Sequence, residues 1–328
     1  MKRYRIGLIH QFAKSNSVRV DGLRSVLGGF GVGRVPPHIT LVAPTNIHQR
    51  DAESEIYRLR VIASQTGPYD LVVGPAGTFY PVSPVLYLSV GGEGIGQLAA
   101  LQGRLSSSKL YKVTSRPFVP HVTILEPAQP TDIDAALHVI RAPLFKHQAT
   151  AFEMMVNPAQ GYWEVSGDFR FAPLRRFSRG GMSLEVFTHC GGDLSVYSFV
   201  SHEGVAEGLF WPHADRRLRT DGQQSLGLSI YHEGELIACA SSAFHSFVAL
   251  IRAVVVRSDV RRMGIGSLAL SELVYQLQLE HVEKIFVVSS EGHQRFFEAC
   301  GARPESVPRW IIDYDSGMTL NSWSFSSL

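Results

Sequence analysis

One eight-residue pattern occurs twice in the first half of the chain and constrains its fold more than any other feature. Pro37-His38-Ile39-Thr40-Leu41-Val42-Ala43-Pro44 recurs as Pro120-His121-Val122-Thr123-Ile124-Leu125-Glu126-Pro127. Each copy is a short β-branched run bounded by prolines, which predicts a strand. Successive strand residues point to opposite faces, so His38 shares a face with Thr40, and His121 with Thr123. Ile39, Leu41, Val122 and Ile124 take the other face. Two similar lobes account for the duplication, and a symmetric packing brings both His-Thr faces to one cleft. Of the 13 histidines, only these two have Thr two positions later.

Two imidazoles and two hydroxyls suit phosphodiester chemistry without a metal. One histidine can deprotonate water or a ribose hydroxyl while the other protonates the leaving oxygen. Imidazole titrates near neutrality and serves either role, so the assignment of acid and base stays open at this point. The threonine hydroxyls can donate to non-bridging phosphate oxygens. Charge agrees: residues 1–180 carry 20 Lys and Arg against 12 Asp and Glu, whereas residues 181–328 carry 11 against 17. A basic first half suits a phosphate-rich partner.

Further strands are expected at Tyr4–His10, Tyr69–Val73, Val85–Val90 and Phe152–Val156. Helices are expected at Val20–Leu27, Ala52–Thr66, Ile95–Ser107 and Asp132–Ile140. The clearest change in composition falls at residues 172–183, where Pro, Arg, Ser and Gly cluster. That stretch reads as a domain edge near Gly180, which gives domains at residues 1–178 and 181–328.

The second half has a different grammar. Ser225–Tyr231 and Leu236–Ala243 flank His-Glu-Gly-Glu, a hairpin turn. Phe247–Val256 is a third strand, followed by a glycine loop, a helix at Ser267–Glu280, a strand at Lys284–Ser289 and a short helix at Gln294–Cys300. This is an α/β pattern with a crossover. Arg261-x-x-Gly264-x-Gly266 opens the long helix, where glycine lets the backbone approach a ligand and free amides face an anion such as pyrophosphate. A full G-x-G-x-x-G is missing, and so is Gly-Lys-Ser/Thr, which argues against Rossmann and P-loop sites.

Both halves resemble known families. Pro-His-Ile-Thr-Leu and Phe-Val-Pro-His-Val-Thr-Ile-Leu resemble the paired motifs of the 2H phosphoesterases, the group of RNA 2′-5′ ligase-like proteins and cyclic phosphodiesterases. The resemblance spans about residues 1–175. It implies a bilobal α+β fold with His38, Thr40, His121 and Thr123 as catalytic residues. It implies as partner an RNA end or nucleotide with a 2′,3′-cyclic phosphate or 2′-5′ linkage. Phe79, Tyr80 and Arg116 are candidates to line the groove by stacking or phosphate pairing.

The run from Leu250 to Leu270 and the segment Phe296–Arg303 resemble the GNAT N-acetyltransferases, over about residues 181–320. This implies an α/β acyltransferase fold that uses acetyl-CoA on a small amine. Backbone groups near Val254 and Val256 would pair with the pantetheine arm. The amides of Arg262, Gly264, Ile265, Gly266 and Ser267 would cradle the pyrophosphate, with added charge from Arg261 and Arg262. Many GNAT members carry a Tyr acid in the late helix; Phe297 stands at the corresponding position here. Either another group serves, or thiolate leaves unassisted, or the module has lost activity. Glu233 and Glu235 are candidate bases, and Cys300 a candidate acid.

The leading expectation is thus a bifunctional enzyme; the alternatives are an RNA- or nucleotide-binding protein with an acyl-CoA-binding or degenerate second domain, and an acetyltransferase with an RNA-tethering first domain. Three separated cysteines point to a reducing cytoplasm. The apolar run Ile6–Ile9 is too short for a signal peptide, and no stretch approaches a membrane span.

Overall fold

In a computed structural model, the described residues are 3–28, 35–106, 109–110, 117–157, 163–172, 174–190, 194–204, 224–289, 293–304 and 321–325. The chain divides into two compact units, Met1–Pro173 and Leu174–Leu328. The boundary therefore lies before the Arg-rich stretch rather than at Gly180. Arg175–Arg179 is a strand of the second unit, antiparallel to Met182–His189 with Met182 opposite Arg179. Gly180 and Gly181, at φ +57° and +79°, form the two-residue turn between them. A hairpin this tight needs positive φ at both positions, which explains the glycine pair. The flanking arginines suit a sheet edge, where charge discourages further pairing.

The first unit runs β1 (Arg3–Gln11), α1 (Lys14–Val26), β2 (His38–His48), α2 (Gln49–Ser64), β3 (Tyr69–Thr78), β4 (Leu86–Gly91) and α3 (Ile95–Ser106). It continues with β5 (His121–Leu125), α4 (Pro130–Val139), β6 (Phe145–Ala149), β7 (Ala151–Asn157) and β8 (Glu164–Arg170). Two four-stranded antiparallel sheets result, ordered β2-β1-β7-β8 and β5-β4-β3-β6. The two repeat copies, β2 and β5, each occupy an edge. α3 buries Leu98, Leu101 and Leu105 at helical spacing, and α2 buries Ala52, Ile56, Leu59 and Ala63.

A polar contact joins the two sheets inside this core. His10 of β1 is fully buried. Its Nδ1–H donates to the Ala151 carbonyl at 2.7 Å, so its Nε2 accepts from the Tyr69 hydroxyl of β3. Burial, aided by the neighbouring His147, holds its imidazole down at about 3, so His10 is neutral at physiological pH.

The second unit continues from β9 (Arg175–Arg179) and β10 (Met182–His189) through α5 (Leu194–His202), β11 (Gln224–His232), β12 (Glu235–His245) and β13 (Val248–Val256). Then come α6 (Ile265–Leu279), β14 (Lys284–Ser289), α7 (Gln294–Ala299), β15 (Arg303–Pro304) and β16 (Asn321–Phe325). One sheet, ordered β15-β16-β14-β13-β12-β11-β10-β9, is antiparallel except for the β13–β14 pair. A crossover through α6 makes that pair parallel, as parallel neighbours require. Leu268, Leu270, Leu273 and Leu277 of α6 pack on one face of the sheet, and Val196 and Val200 of α5 on the other. His189 is buried in this sheet with Nε2 3.0 Å from Ser229 Oγ. Gly227 makes room for it, since a Cβ there would stand 2.4 Å from His189 Cε1.

Glu153 of β7 supplies a test of the interior of the first unit. Its Oε2 accepts the Gln11 N–H at 2.9 Å. Burial and nearby Asp168 push the carboxyl up to about 8 from 4.5, against the opposing pull of the Gln11 bond. Between those two pH values the folded chain keeps a proton that the unfolded chain has released, so this group's stabilising contribution falls as pH rises through about 8. One such group contributes a slope of at most about 1.4 kcal/mol per pH unit. Glu153→Gln should remove that component, so the mutant gains on wild type as pH rises to about 8 and the gap stays constant above it; urea unfolding across pH measures this.

Candidate functional sites

The two repeat strands show the same alternation of burial. His38, Thr40, His121 and Thr123 are half-buried, while Ile39, Leu41, Val122 and Ile124 enter the core. Register places Gln11 opposite His38 and Ile9 opposite Thr40 in one sheet, and Ser89 opposite His121 and Tyr87 opposite Thr123 in the other. The edges β2 and β5, which carry the two motifs, come into contact.

Each imidazole is held the same way. His38 Nδ1–H donates to the Pro36 carbonyl, and His121 Nδ1–H to the Val119 carbonyl, both at 2.7 Å. A carbonyl only accepts, so each neutral ring carries its proton on Nδ1 and keeps a lone pair on Nε2. The proline that opens each copy sits between the imidazole and that carbonyl and fixes the backbone there.

The surroundings of the two rings differ. Burial holds the His38 imidazole below its ordinary range, and the charges of Arg24 and His121 push the same way, opposed by the Pro36 bond. His121 instead meets two aromatic rings. Phe79 stands edge-on at 5.0 Å between centroids, and Tyr87 lies at 5.3 Å. Gly77 allows this, because a Cβ there would meet the Tyr87 ring at 2.6 Å.

Of the three residues singled out to line the groove, Phe79 lies against the His121 ring. Tyr80 is 52% exposed, and Arg116 falls outside the described residues. Tyr87 and Arg24 were not singled out by sequence reasoning. Arg24 did leave a signal: a cation one helical turn after Val20 in an amphipathic stretch, on the face that α1 buries.

In the second unit β13 parts from β14. Their register ends at Ile251 opposite Val287, and Arg252 bulges out of the pairing with β12. Residues Arg252–Val256 continue without β14 beside them. Val254 and Val256 turn their side chains to the α6 face, while Ala253 and Val255 face α5. Among the described residues, no strand pairs with Ala253–Val256 on that side, next to the glycine loop.

The loop has the backbone shape expected of an anion cradle. Arg262 and Gly264 adopt left-handed φ values of +65° and +78°, and Gly264 caps α6. Leu268 N–H closes the first turn on the Gly264 carbonyl, so the amides of Ile265, Gly266 and Ser267 have no helical carbonyl to reach. Gly266 is hemmed in by Phe296, 3.3 Å from where a Cβ would sit, and Ser267 Oγ lies 3.5 Å from Cys300 Sγ.

Arg261 is committed within the protein. Its Nε donates to the Val256 carbonyl at 2.9 Å, and its Nη2 to the buried Glu203 carboxylate at 2.7 Å. Its charge is balanced locally, whereas Arg262 is exposed. Phe297 is turned into the core, and Phe296 is the ring that borders the loop. Glu233 occupies the hairpin turn at φ +50°, and Glu235 pairs with Arg257 at 3.0 Å.

Comparison with known proteins follows this division. Residues 12–160 match the model of the 2'-5' RNA ligase superfamily, and residues 196–302 that of the Acetyltransferase (GNAT) family. A Bacillus cereus protein, provisionally named a phosphoesterase, is 34% identical over 139 residues, 42% of this chain and 79% of the relative. A Bacillus anthracis protein of the same name is 33% identical over the same shares. Among solved structures, Escherichia coli LigT is similar at 16% identity with a TM-score of 0.39, covering 52% of this chain and 99% of that one. Both families are enzyme families. The second unit is similar to the GNAT acetyltransferases over residues 196–302, and through the first unit the chain belongs to the 2'-5' RNA ligase superfamily.

Proposed function

We propose that the chain is a bifunctional cytoplasmic enzyme. Its first unit hydrolyses or forms a phosphodiester at an RNA end or nucleotide carrying a 2′,3′-cyclic phosphate or 2′-5′ linkage. Its second unit acetylates a small amine from acetyl-CoA. The observation that carries the first reading is the matched pair of imidazoles, each held by its Nδ1 on a backbone carbonyl so that Nε2 is the atom left to act, on contacting edge strands.

The asymmetry around the rings supports distinct roles. His38, kept neutral by burial and neighbouring positive charge, is suited to take a proton from water as it attacks phosphorus. His121, once protonated, returns a proton to the departing ribose oxygen; ligation reverses these roles. Thr40 and Thr123, two residues along the same faces, donate hydroxyls to the non-bridging oxygens as charge builds there. Phe79 and Tyr87 back the His121 ring and offer a surface for a base.

In the second unit, the edge of β13 near Val254 and Val256 suits the amides of a pantetheine arm, and the amides of Arg262 and residues Gly264–Ser267 suit a pyrophosphate. Acetyl-CoA supplies an activated thioester for attack by an uncharged amine. Arg262 adds positive charge, and Arg261 holds the loop against β13 and Glu203.

His38→Ala and His121→Ala should each lower hydrolysis of a nucleoside 2′,3′-cyclic phosphate by roughly 100- to 10,000-fold while leaving RNA affinity near wild type. A wild-type protein that binds such ligands and turns none of them over would establish the binding reading instead. For the second unit, Gly264→Glu forces a side chain into a left-handed position and puts a carboxylate beside the cradle. Calorimetry should show acetyl-CoA affinity falling by at least about tenfold; unchanged affinity would place the pyrophosphate elsewhere.

A further inference from the structure

We infer that Arg24 is a positioning residue of the phosphoesterase groove: its guanidinium ties the strand of the second histidine to the segment that delivers the first. This inference rests on the phosphoesterase reading of that groove. Arg24 extends from α1 and is only 7% exposed. Its Nε and Nη2 both donate to the Thr123 carbonyl, at 3.2 and 2.8 Å. Its Nη1 donates to the Val35 carbonyl at 3.0 Å and reaches Asp21 Oδ1 at 3.3 Å.

These partners lie on the two motif segments. Thr123 is the hydroxyl residue of the second motif, and β5 is an edge strand, so a carbonyl on its outer side has no neighbouring strand to satisfy it. Val35 stands three residues before His38, one before the carbonyl that holds the His38 ring. One planar fork thus spans both segments, and its rigidity fixes their separation. A lysine ammonium is a single point charge on a flexible stem and cannot reproduce that span.

Arg24 also sets the field around one imidazole. Among the described residues, the charged or titratable groups acting on His38 are Arg24 from α1 and His121 from β5, with the Pro36 carbonyl opposing them. A cation in that place disfavours the imidazolium of His38. Geometry and charge therefore act together on the first histidine.

Two variants separate these effects. Arg24→Lys keeps a charge and loses the fork; Arg24→Met loses both. Titration of the His38 and His121 Cε1 protons by NMR reads the field without depending on turnover, with His38→Gln assigning the signal. His38 should titrate at higher pH in Arg24→Met than in wild type, and close to wild type in Arg24→Lys. Both variants should lose about 10- to 100-fold in kcat/KM on a nucleoside 2′,3′-cyclic phosphate, mostly in kcat, as expected for a displaced catalytic pair. The acid limb of the rate profile should move to higher pH in the Met variant alone.

An unchanged His38 titration in a folded Arg24→Met protein would overturn the electrostatic role. If the Met variant does not fold, wild-type kcat/KM in Arg24→Lys would overturn the positioning role, and a loss there with a native melting temperature would support it. If the wild type lacks phosphoesterase activity altogether, the proposed function fails, and the titration still decides whether Arg24 acts on His38.

Discussion

The hydrogen bond from each motif imidazole to the carbonyl two residues upstream is the constraint on which the first groove depends. It requires a chain that turns sharply before entering a strand, which the prolines at 37 and 120 supply. It also requires that the ring lie on the strand's accessible face, which the alternation of His-x-Thr with buried Ile39, Leu41, Val122 and Ile124 provides. Once both hold, tautomer and ring orientation follow, and the threonine falls on the same face at the strand repeat. Duplicating the device on two edge strands that come into contact yields a pair of similarly held imidazoles from one local rule.

The second unit depends on a different constraint, the separation of two parallel strands. β13 pairs with β14 only as far as Ile251 and, among the described strands, then continues beside β12 alone, with a bulge at Arg252. A bulge bends its strand and disrupts the ladder, and here it coincides with the end of the pairing. The chain then passes through two left-handed residues into α6, so that the end of β13 and the first amides of α6 lie in succession along the backbone. Arg261 closes this arrangement by bonding both the end of β13 and Glu203 after α5. That contact explains why a loop arginine can be structural even where the ligand expected of the loop is anionic.

Polar groups in the interior of the first unit divide by their partners. His10 is neutral and bonded on both nitrogens, and serves to join the two sheets. Glu153 is held protonated beside a backbone amide. Arg24 stays within reach of two carbonyls and one carboxylate. Each follows the rule that a buried polar group must be satisfied or neutralised.

Sequence alone determined the likeness of each half to a different family, the positions of most strands and helices, the shared faces of His38 with Thr40 and His121 with Thr123, and the glycine loop before α6. All of these follow from patterns within a few residues, where strand period, proline geometry and glycine φ act locally. Strands β6 and β8 escaped, because Phe-Lys-His-Gln-Ala and Glu-Val-Ser-Gly-Asp-Phe-Arg carry too few apolar residues to announce themselves without partners. The Arg-rich stretch at 175–179 read as a linker because charge at a sheet edge and charge in a loop have the same composition. Only tertiary structure decided that Arg24 spans the motifs, that Tyr87 backs His121, that Arg261 pairs with Glu203 and that Phe297 faces the core. Each of these contacts joins segments remote in sequence, and their partners are chosen by packing and by the need to satisfy buried polar groups, which no local pattern encodes.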